Sequence, residues 1–303
     1  MKADLHIHSR YSNDGEFEVK EIIRKCSAIG IDTFSVTDHN SVGGSREAQK
    51  LTMDDQGINF IPGIEIDCNY RGTDLHLLAY QIDTSSDNFD SLQLSVRQKY
   101  LDAVPQMMLN LEELGIPIDH DEVMEKSGGE PPSPELFAEL LLAKTEQHSN
   151  PRLLPYLPGG DRSEMPLINF YLDYFAQGKP AYVKIDHLDF EDALSLVKDN
   201  GGIPIVAHPG LNLEGREEVV NELMDRGAAG LEVFNNYHSN KQLAYFAGEI
   251  KRRGALMTCG SDFHGFTKPR IYLGQYNFIE SHRAYLETSL TIILQYPHTK
   301  HQK

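Results

Sequence analysis

The sequence predicts an α/β protein of the parallel β/α-barrel type with a helical insertion, and three observations carry that prediction. Short apolar runs rich in Ile, Val, Leu and Phe alternate with helical stretches over residues 1–83 and again over 180–280. Roughly seven runs read as strands, and a fragment bearing His, Asp or Glu follows at least six of them. A parallel barrel presents its chemistry at the C-terminal strand ends, whereas an open doubly wound sheet confines it to one switch point. Between residues 84 and 179 the alternation stops, and longer helical runs separated by Pro- and Gly-rich turns replace it.

The elements follow in order. Ala3–His8 reads as the first strand. In Glu18–Gly30 the residues Val19, Ile22, Ile23, Cys26 and Ile29 recur at helical spacing, and Gly30 supplies the stop. A strand at Thr33–Thr37, a helix from about Val42 to Gln56, and strands at Asn59–Ile66 and Leu75–Tyr80 complete the first half. The second half offers helices at Ala193–Asn200, Glu217–Arg226 and Lys241–Arg253, with strands at Pro204–Ala207, Gly230–Phe234 and Ala255–Cys259. The runs are apolar on both faces, as expected for strands covered by helices.

Within 84–179, helices are expected at Leu92–Leu114, Glu135–Thr145 and Leu167–Gln177, forming a subdomain that caps the barrel. The turn Glu130-Pro131-Pro132-Ser133-Pro134 separates the first two, and the Pro- and Gly-rich stretch 151–165 reads as a loop. The aromatic residues Tyr156, Phe170, Tyr171, Tyr174 and Phe175 have spacing that suits a helix core. The stretch 281–303, ending in His298, Lys300, His301 and Lys303, reads as an ordinary chain end.

Composition narrows the function classes. The 303 residues are 40% hydrophobic and 24% charged, as in an ordinary globular protein. No apolar stretch is long enough to span a bilayer, and the N-terminus lacks a basic region and apolar signal core, so a cytoplasmic location and no membrane partner are expected. Cys26, Cys68 and Cys259 are widely spaced and read as buried free thiols. The net charge of −17 opposes binding to long nucleic acid. It leaves room for a small phosphorylated partner, because bound divalent cations would make a cleft locally positive.

The polar fragments carry the chemistry. His6 and His8 alternate along one strand and so point to the same face, where both can grip one ion. Asp262-x-His264 repeats that geometry near the other end of the chain. Glu65 follows an apolar run, where a carboxylate is costly to bury unless it is paired or metal-bound, and a carboxylate is a natural bridge between two cations. His76 lies inside an apolar strand, and His208 precedes a Pro209-Gly210 turn that would hold it at a strand tip. Asp14-Gly15 taken alone fits a simple turn, Asp38-His39 a helix cap, and Glu65 a salt bridge. Together these donors are too many for one ion and suit a cluster of Mn²⁺, Fe²⁺ or Zn²⁺.

In this order, D-x-H-x-H, D-G, T-D-H-N, G-x-E, a strand His, A-H-P-G and S-D-x-H-G, the fragments resemble the PHP (polymerase and histidinol phosphatase) superfamily. Within it they resemble the stand-alone bacterial phosphoesterases of nucleotides and short oligonucleotides. The resemblance covers residues 1–83 and roughly 180–280. It implies a distorted (β/α)7 barrel with two or three divalent metal ions. On that pattern His6, His8, Glu65 and Asp262 hold one ion, Glu65, His76 and His208 a second, and Asp14, His39 and His264 a third. The implied reaction is metal-assisted hydrolysis of a phosphate ester, with Glu65, His208 and His264 as catalytic candidates. Arg10, Lys184, Lys268 and Arg270 are candidate phosphate contacts, and His187 and His238 lie near presumed strand ends. Many relatives carry a Gly-Arg-Pro-His-like segment in the insertion, where this chain reads Pro132-Ser133-Pro134-Glu135-Leu136-Phe137. A phosphomonoesterase on small nucleotides, including bisphosphates, is the first reading. A 5′–3′ exonuclease on short RNA or DNA is the alternative, and a non-catalytic metal-binding regulatory domain is a third, disfavoured by the number of ligands.

Overall fold

The computed structural model describes residues 1–53, 57–144 and 149–297. They divide into two compact units. One comprises Met1–Leu92, His187–His264 and the described residues from Ile271 onward; the other comprises Gln93–Asp186 and Gly265–Arg270. The sequence-based boundaries were 84 and 179, with no part of 265–270 grouped with the insertion. No helix among the described residues is long and apolar enough to cross a membrane.

The first unit is α/β. Strands β1 (Ala3–Asp4), β2 (Thr33–Phe34) and β3 (Asn59–Phe60) form a parallel three-stranded sheet. A six-stranded sheet runs in the order β6 (Leu188–Asp189), β4 (Gly63–Tyr70), β5 (Thr73–Tyr80), β7 (Ile203–Val206), β8 (Gly230–Phe234) and β9 (Leu256–Cys259). The single run expected at Asn59–Ile66 is split into β3 and β4 by Pro62, which has no N–H to give a ladder.

β5 departs from the all-parallel expectation. It pairs antiparallel with β4 and with β7, because Arg71 and Gly72, at φ +49° and +83°, make a two-residue hairpin turn. His76 lies mid-strand opposite Asp67, inside a strand as its sequence context indicates.

Two pairs of ligand-bearing fragments join the two sheets. On one side Ile7 bridges Phe263, with His8 N donating to Phe263 O (2.9 Å) and Asp262 N to His6 O (2.9 Å). On the other side His39 bridges Glu65, with Asn40 N donating to Glu65 O (2.7 Å). Behind the first pair the helix Val19–Ala28 buries Val19, Ile22 and Cys26 against Ile7, Phe34, Val36 and Phe263. Each such aliphatic side chain contributes about 1.5–3 kcal/mol, which stiffens the strand that carries His6 and His8. Cys26, Cys68 and Cys259 are free and buried.

The chain end differs from expectation as well. Arg283–Leu294 is a helix whose Leu286, Leu290 and Ile293 are buried, and Ile293 O accepts from Gln81 Nε2 (2.9 Å). The residues His298, Lys300, His301 and Lys303 lie outside the described residues, as do Gln56 and Thr145.

The second unit is helical. The helix Asp87–Glu113, which belongs to this unit from Gln93 onward, begins five residues before the expected start at Leu92. A short helix at His120–Lys126, capped by Asp119 accepting from Glu122 N (2.9 Å), was not foreseen. Ser133 caps Pro134–Ala143, and Pro166–Phe170 continues into a π-helical turn at Tyr171–Phe175. Phe137, Phe170, Tyr174 and Phe175 share one core with Tyr156. The 151–165 stretch is tied to that core: Asp173 accepts from Tyr156 Oη (2.7 Å) and from two Arg162 nitrogens (3.0 Å each).

Candidate metal centre

Glu65, fully buried on β4, stands at the middle of the first unit's polar cluster. Its Oε2 lies 3.0 Å from His6 Nε2 and 3.1 Å from His8 Nε2. Its Oε1 lies 3.0 Å from His76 Nδ1 and 3.1 Å from His208 Nε2. Asp262 Oδ1 meets the first pair from the other side, 3.3 Å from His6 Nε2 and 3.1 Å from His8 Nε2, which are themselves 3.1 Å apart. Asp262 sits at φ +58°, a strained conformation for a residue other than glycine, of the kind that gathers at functional sites.

Asp14 and His264 form a further corner, with Nε2 3.0 Å from Asp14 Oδ2, and His39 Nε2 stands 3.7 Å from the same oxygen and 3.6 Å from Glu65 Oε2. The donors thus gather in overlapping groups: His6, His8, Glu65 and Asp262; Glu65, His76 and His208; and Asp14, His39 and His264, which His8 joins. A fourth group, His39, Asp67 and His76, includes a carboxylate not singled out in the sequence. The side chains of His39, His76 and Asp14 are 18, 26 and 15% exposed, whereas those of His6, His8 and Glu65 are not exposed at all. Solvent therefore reaches the cluster from the His39–His76–Asp14 side.

Four of the imidazoles have one ring nitrogen committed to an acceptor outside these contacts. His6 Nδ1–H donates to Glu232 Oε1 (3.0 Å), His39 Nδ1–H to Asp67 Oδ1 (2.9 Å), His208 Nδ1–H to Asn212 Oδ1 (2.7 Å) and His264 Nδ1–H to Asp262 O (2.8 Å). In the neutral ring that leaves each Nε2 with its lone pair turned inward, the arrangement by which metal-ligating histidines are oriented. Further ties hold the loops. Asp4 accepts from Ser261 N (2.9 Å), Ser261 Oγ (2.6 Å) and Gly274 N (2.7 Å), and Asp38 accepts from Ser9 N (2.6 Å) and Ser9 Oγ (2.8 Å). Burial pushes Asp4 up to about 6 and Asp38 up to about 7, against those hydrogen bonds.

The electrostatics follow from charge crowding. Burial alone would neutralise His6, but Glu65, Glu232 and Asp262 outweigh it and hold its pKa well above the imidazole value. His39 behaves alike, beside Glu65, Asp67 and Asp14. Burial opposes the charge on Glu65 too, yet His6, His39 and His76 hold it well below the carboxylate range, and His264 and His39 do the same for Asp14.

These residues fit divalent ions. Five of the six spacings among the first four donors are 3.0–3.3 Å. A tetrahedron of that edge has its centre about 1.9 Å from each corner, close to the roughly 2.0–2.2 Å of zinc bonds to imidazole and carboxylate. Five largely buried carboxylates, Asp14, Glu65, Asp67, Glu232 and Asp262, need compensating charge, and two or three divalent cations bring about +4 to +6.

Sequence reasoning missed Glu232, Asp67, Asn212 and Tyr237, whose hydroxyl donates to Asp262 Oδ2 (2.6 Å). Glu232 and Asp67 did carry a signal: each is a carboxylate within an apolar strand, the same property that drew attention to Glu65. His238, considered earlier only for its place near a strand end, accepts from Gly210 N (3.0 Å) and so props the turn after His208. Of the expected phosphate contacts, Arg10 lies in the first unit and pairs with Glu18. Lys184, Lys268 and Arg270 belong to the second unit, where Lys184 and Arg270 are exposed and Lys268 is buried.

The chain is similar to a 3′,5′-nucleoside bisphosphate phosphatase of Chromobacterium violaceum, 29% identical over 264 residues that cover 86% of each chain. It is also similar to a 5′-3′ exoribonuclease of Haemophilus influenzae, 27% identical over 87% of this chain and 90% of that one. Among solved structures, an amidohydrolase from Chromobacterium violaceum with bound sulfate and no metal superposes with a TM-score of 0.76 at 27% identity, over 95% of this chain and 97% of its own. The family model for the PHP domain matches residues 4–147. Residues 4–147 thus carry a PHP domain.

Proposed function

We propose that the chain is a metal-dependent phosphoesterase that removes phosphate from small nucleotides, nucleoside bisphosphates included. The observation that carries this reading is Glu65, each of whose carboxylate oxygens faces a different pair of histidines. Divalent ions of the Mn²⁺, Fe²⁺ or Zn²⁺ type, two or three per chain, would lower the pKa of a water and offset charge on the phosphoryl oxygens.

The chain's own residues do the positioning. Glu65 sits between the first two ligand groups. Tyr237 engages one oxygen of Asp262 and leaves the other toward His6 and His8. His208 and His264 each commit Nδ1 to a fixed acceptor, which aims Nε2 at the ligand groups they would complete. The phosphoryl group approaches from the solvent side, past His39, His76 and Asp14. The charge of −17 disfavours a long polyanion and suits a short substrate.

The exonuclease reading is supported by the similarity to the Haemophilus influenzae exoribonuclease. Rates on mononucleotides, a 3′,5′-bisphosphate and a short 5′-phosphorylated oligonucleotide separate the two. The bisphosphate should be cleaved fastest and without release of mononucleotides from the oligonucleotide. Processive shortening at a higher rate would replace the first reading by the second. Alanine substitution at Arg10, the proposed phosphate contact in the first unit, should raise KM in the same assay. Full activity in Glu65→Gln would remove the assignment altogether.

A further inference from the structure

Glu232 lies mid-strand in Gly230-Leu231-Glu232-Val233-Phe234 and is fully buried, which is costly for a carboxylate unless both oxygens are engaged. Its Oε1 accepts from His6 Nδ1–H (3.0 Å) and its Oε2 from His208 N (2.8 Å). Through Nε2 the same two residues reach different oxygens of Glu65, His6 meeting Oε2 at 3.0 Å and His208 meeting Oε1 at 3.1 Å. The His6 and His208 rings lie nearly parallel, 17° apart with centroids at 5.5 Å. Both histidines are therefore gripped from two sides, by Glu65 within the cluster and by Glu232 behind it. The grip on His208 is at the backbone, where φ +20° and ψ 57° are unfavourable for a residue with a side chain.

We propose that Glu232 is a positioning residue that holds two groups of metal ligands in step. It selects the His6 tautomer that frees Nε2, and it pins the turn that aims His208 at the same carboxylate. The proposal rests on the metal-centre reading above. It predicts that one residue touching no ion governs occupancy on both sides of Glu65.

The test compares Glu232→Gln with Glu232→Asp. An ionised carboxylate accepts two hydrogen bonds through two equivalent oxygens, whereas the amide, of nearly the same volume, turns an NH₂ toward one of the two donors. A residue that merely fills space would tolerate Gln better than the shorter Asp; a double acceptor would tolerate Asp better. In full-length protein titrated with manganese alone, Glu232→Gln should weaken binding about 10–100-fold. The spin-coupled electron paramagnetic resonance signal of neighbouring ions should give way to that of isolated ones, and Glu232→Asp should recover part of both. Wild-type stoichiometry and coupling in Glu232→Gln, or Gln matching or exceeding Asp, would overturn the proposal. Nitrogen-15 spectra of the zinc-loaded wild type read the tautomer without any variant. A proton on His6 Nδ1 is expected, and its absence overturns the proposal. Fewer than two manganese ions on the wild type would instead overturn the metal-centre reading, and this proposal with it.

Discussion

Gly260, just after β9, is where a single methyl group should disable part of the metal centre. A Cβ built there would stand 2.2 Å from His6 Cβ, 2.6 Å from Glu232 Oε1 and 2.9 Å from His6 N. His6 N and Cβ cannot swing aside, and Glu232 Oε1, although a side-chain end, is tied to His6 Nδ1–H. To restore an ordinary contact of 3.4 Å, His6 Cβ must retreat by about 1.2 Å, while a metal bond tolerates roughly 0.2 Å. Gly260→Ala should therefore withdraw His6 from the group it shares with His8, Glu65 and Asp262, leaving His39, Asp14 and His264 less affected. Overpacking of this kind costs about 1–3 kcal/mol. Metal analysis of chelator-free protein should find at least one ion fewer per chain than in the wild type. Calorimetry in chelator should show a midpoint lowered by a few degrees. Wild-type metal content with an unshifted midpoint would refute the close approach of Gly260 to His6 and the packing argument built on it.

Other outcomes follow from the same geometry. Asp67→Asn keeps the volume but leaves His39 Nδ1 without its carboxylate, so metal affinity should fall about 10–100-fold in isothermal titration. His6 and His39, with pKa values held above that of free imidazole, carry protons to higher pH in metal-free protein, and an ion must displace them. Metal affinity should accordingly rise with pH through that window, and titrations in buffers of different ionisation enthalpy should detect proton release. Affinity independent of pH would count against the protonated, carboxylate-bound histidines. Phe137→Ala empties a fully buried position in the helical unit and should cost about 3–5 kcal/mol in denaturant unfolding of that unit.

Much of the centre was legible because its donors interrupt apolar runs, where a charge or imidazole has no place without a partner. His6, His8, Glu65, His76, His208, Asp262 and His264 all stand out in this way, and Asp14 and His39 follow from the motif order. The supporting residues were harder to see, because Glu232 and Asn212 acquire meaning only when β8 and the Pro209 turn come together with His6 and His208. In the fold, alternation located most strands but not the direction of β5. The Arg71-Gly72 turn that reverses it lacks the Asn-Gly or Asp-Gly signature of a tight hairpin. The helix Arg283–Leu294 was missed for a similar reason. Leu286, Leu290 and Ile293 repeat at helical spacing, but over too few residues to stand out against a chain end.

The most direct test of the central claim is an anomalous-diffraction map, recorded at the manganese edge, of crystals grown with manganese. Two peaks should flank Glu65, one among His6, His8 and Asp262 and one beside His76 and His208, with a third near Asp14, His39 and His264. Fewer than two peaks around Glu65, in protein that still hydrolyses a phosphate ester, would contradict the account.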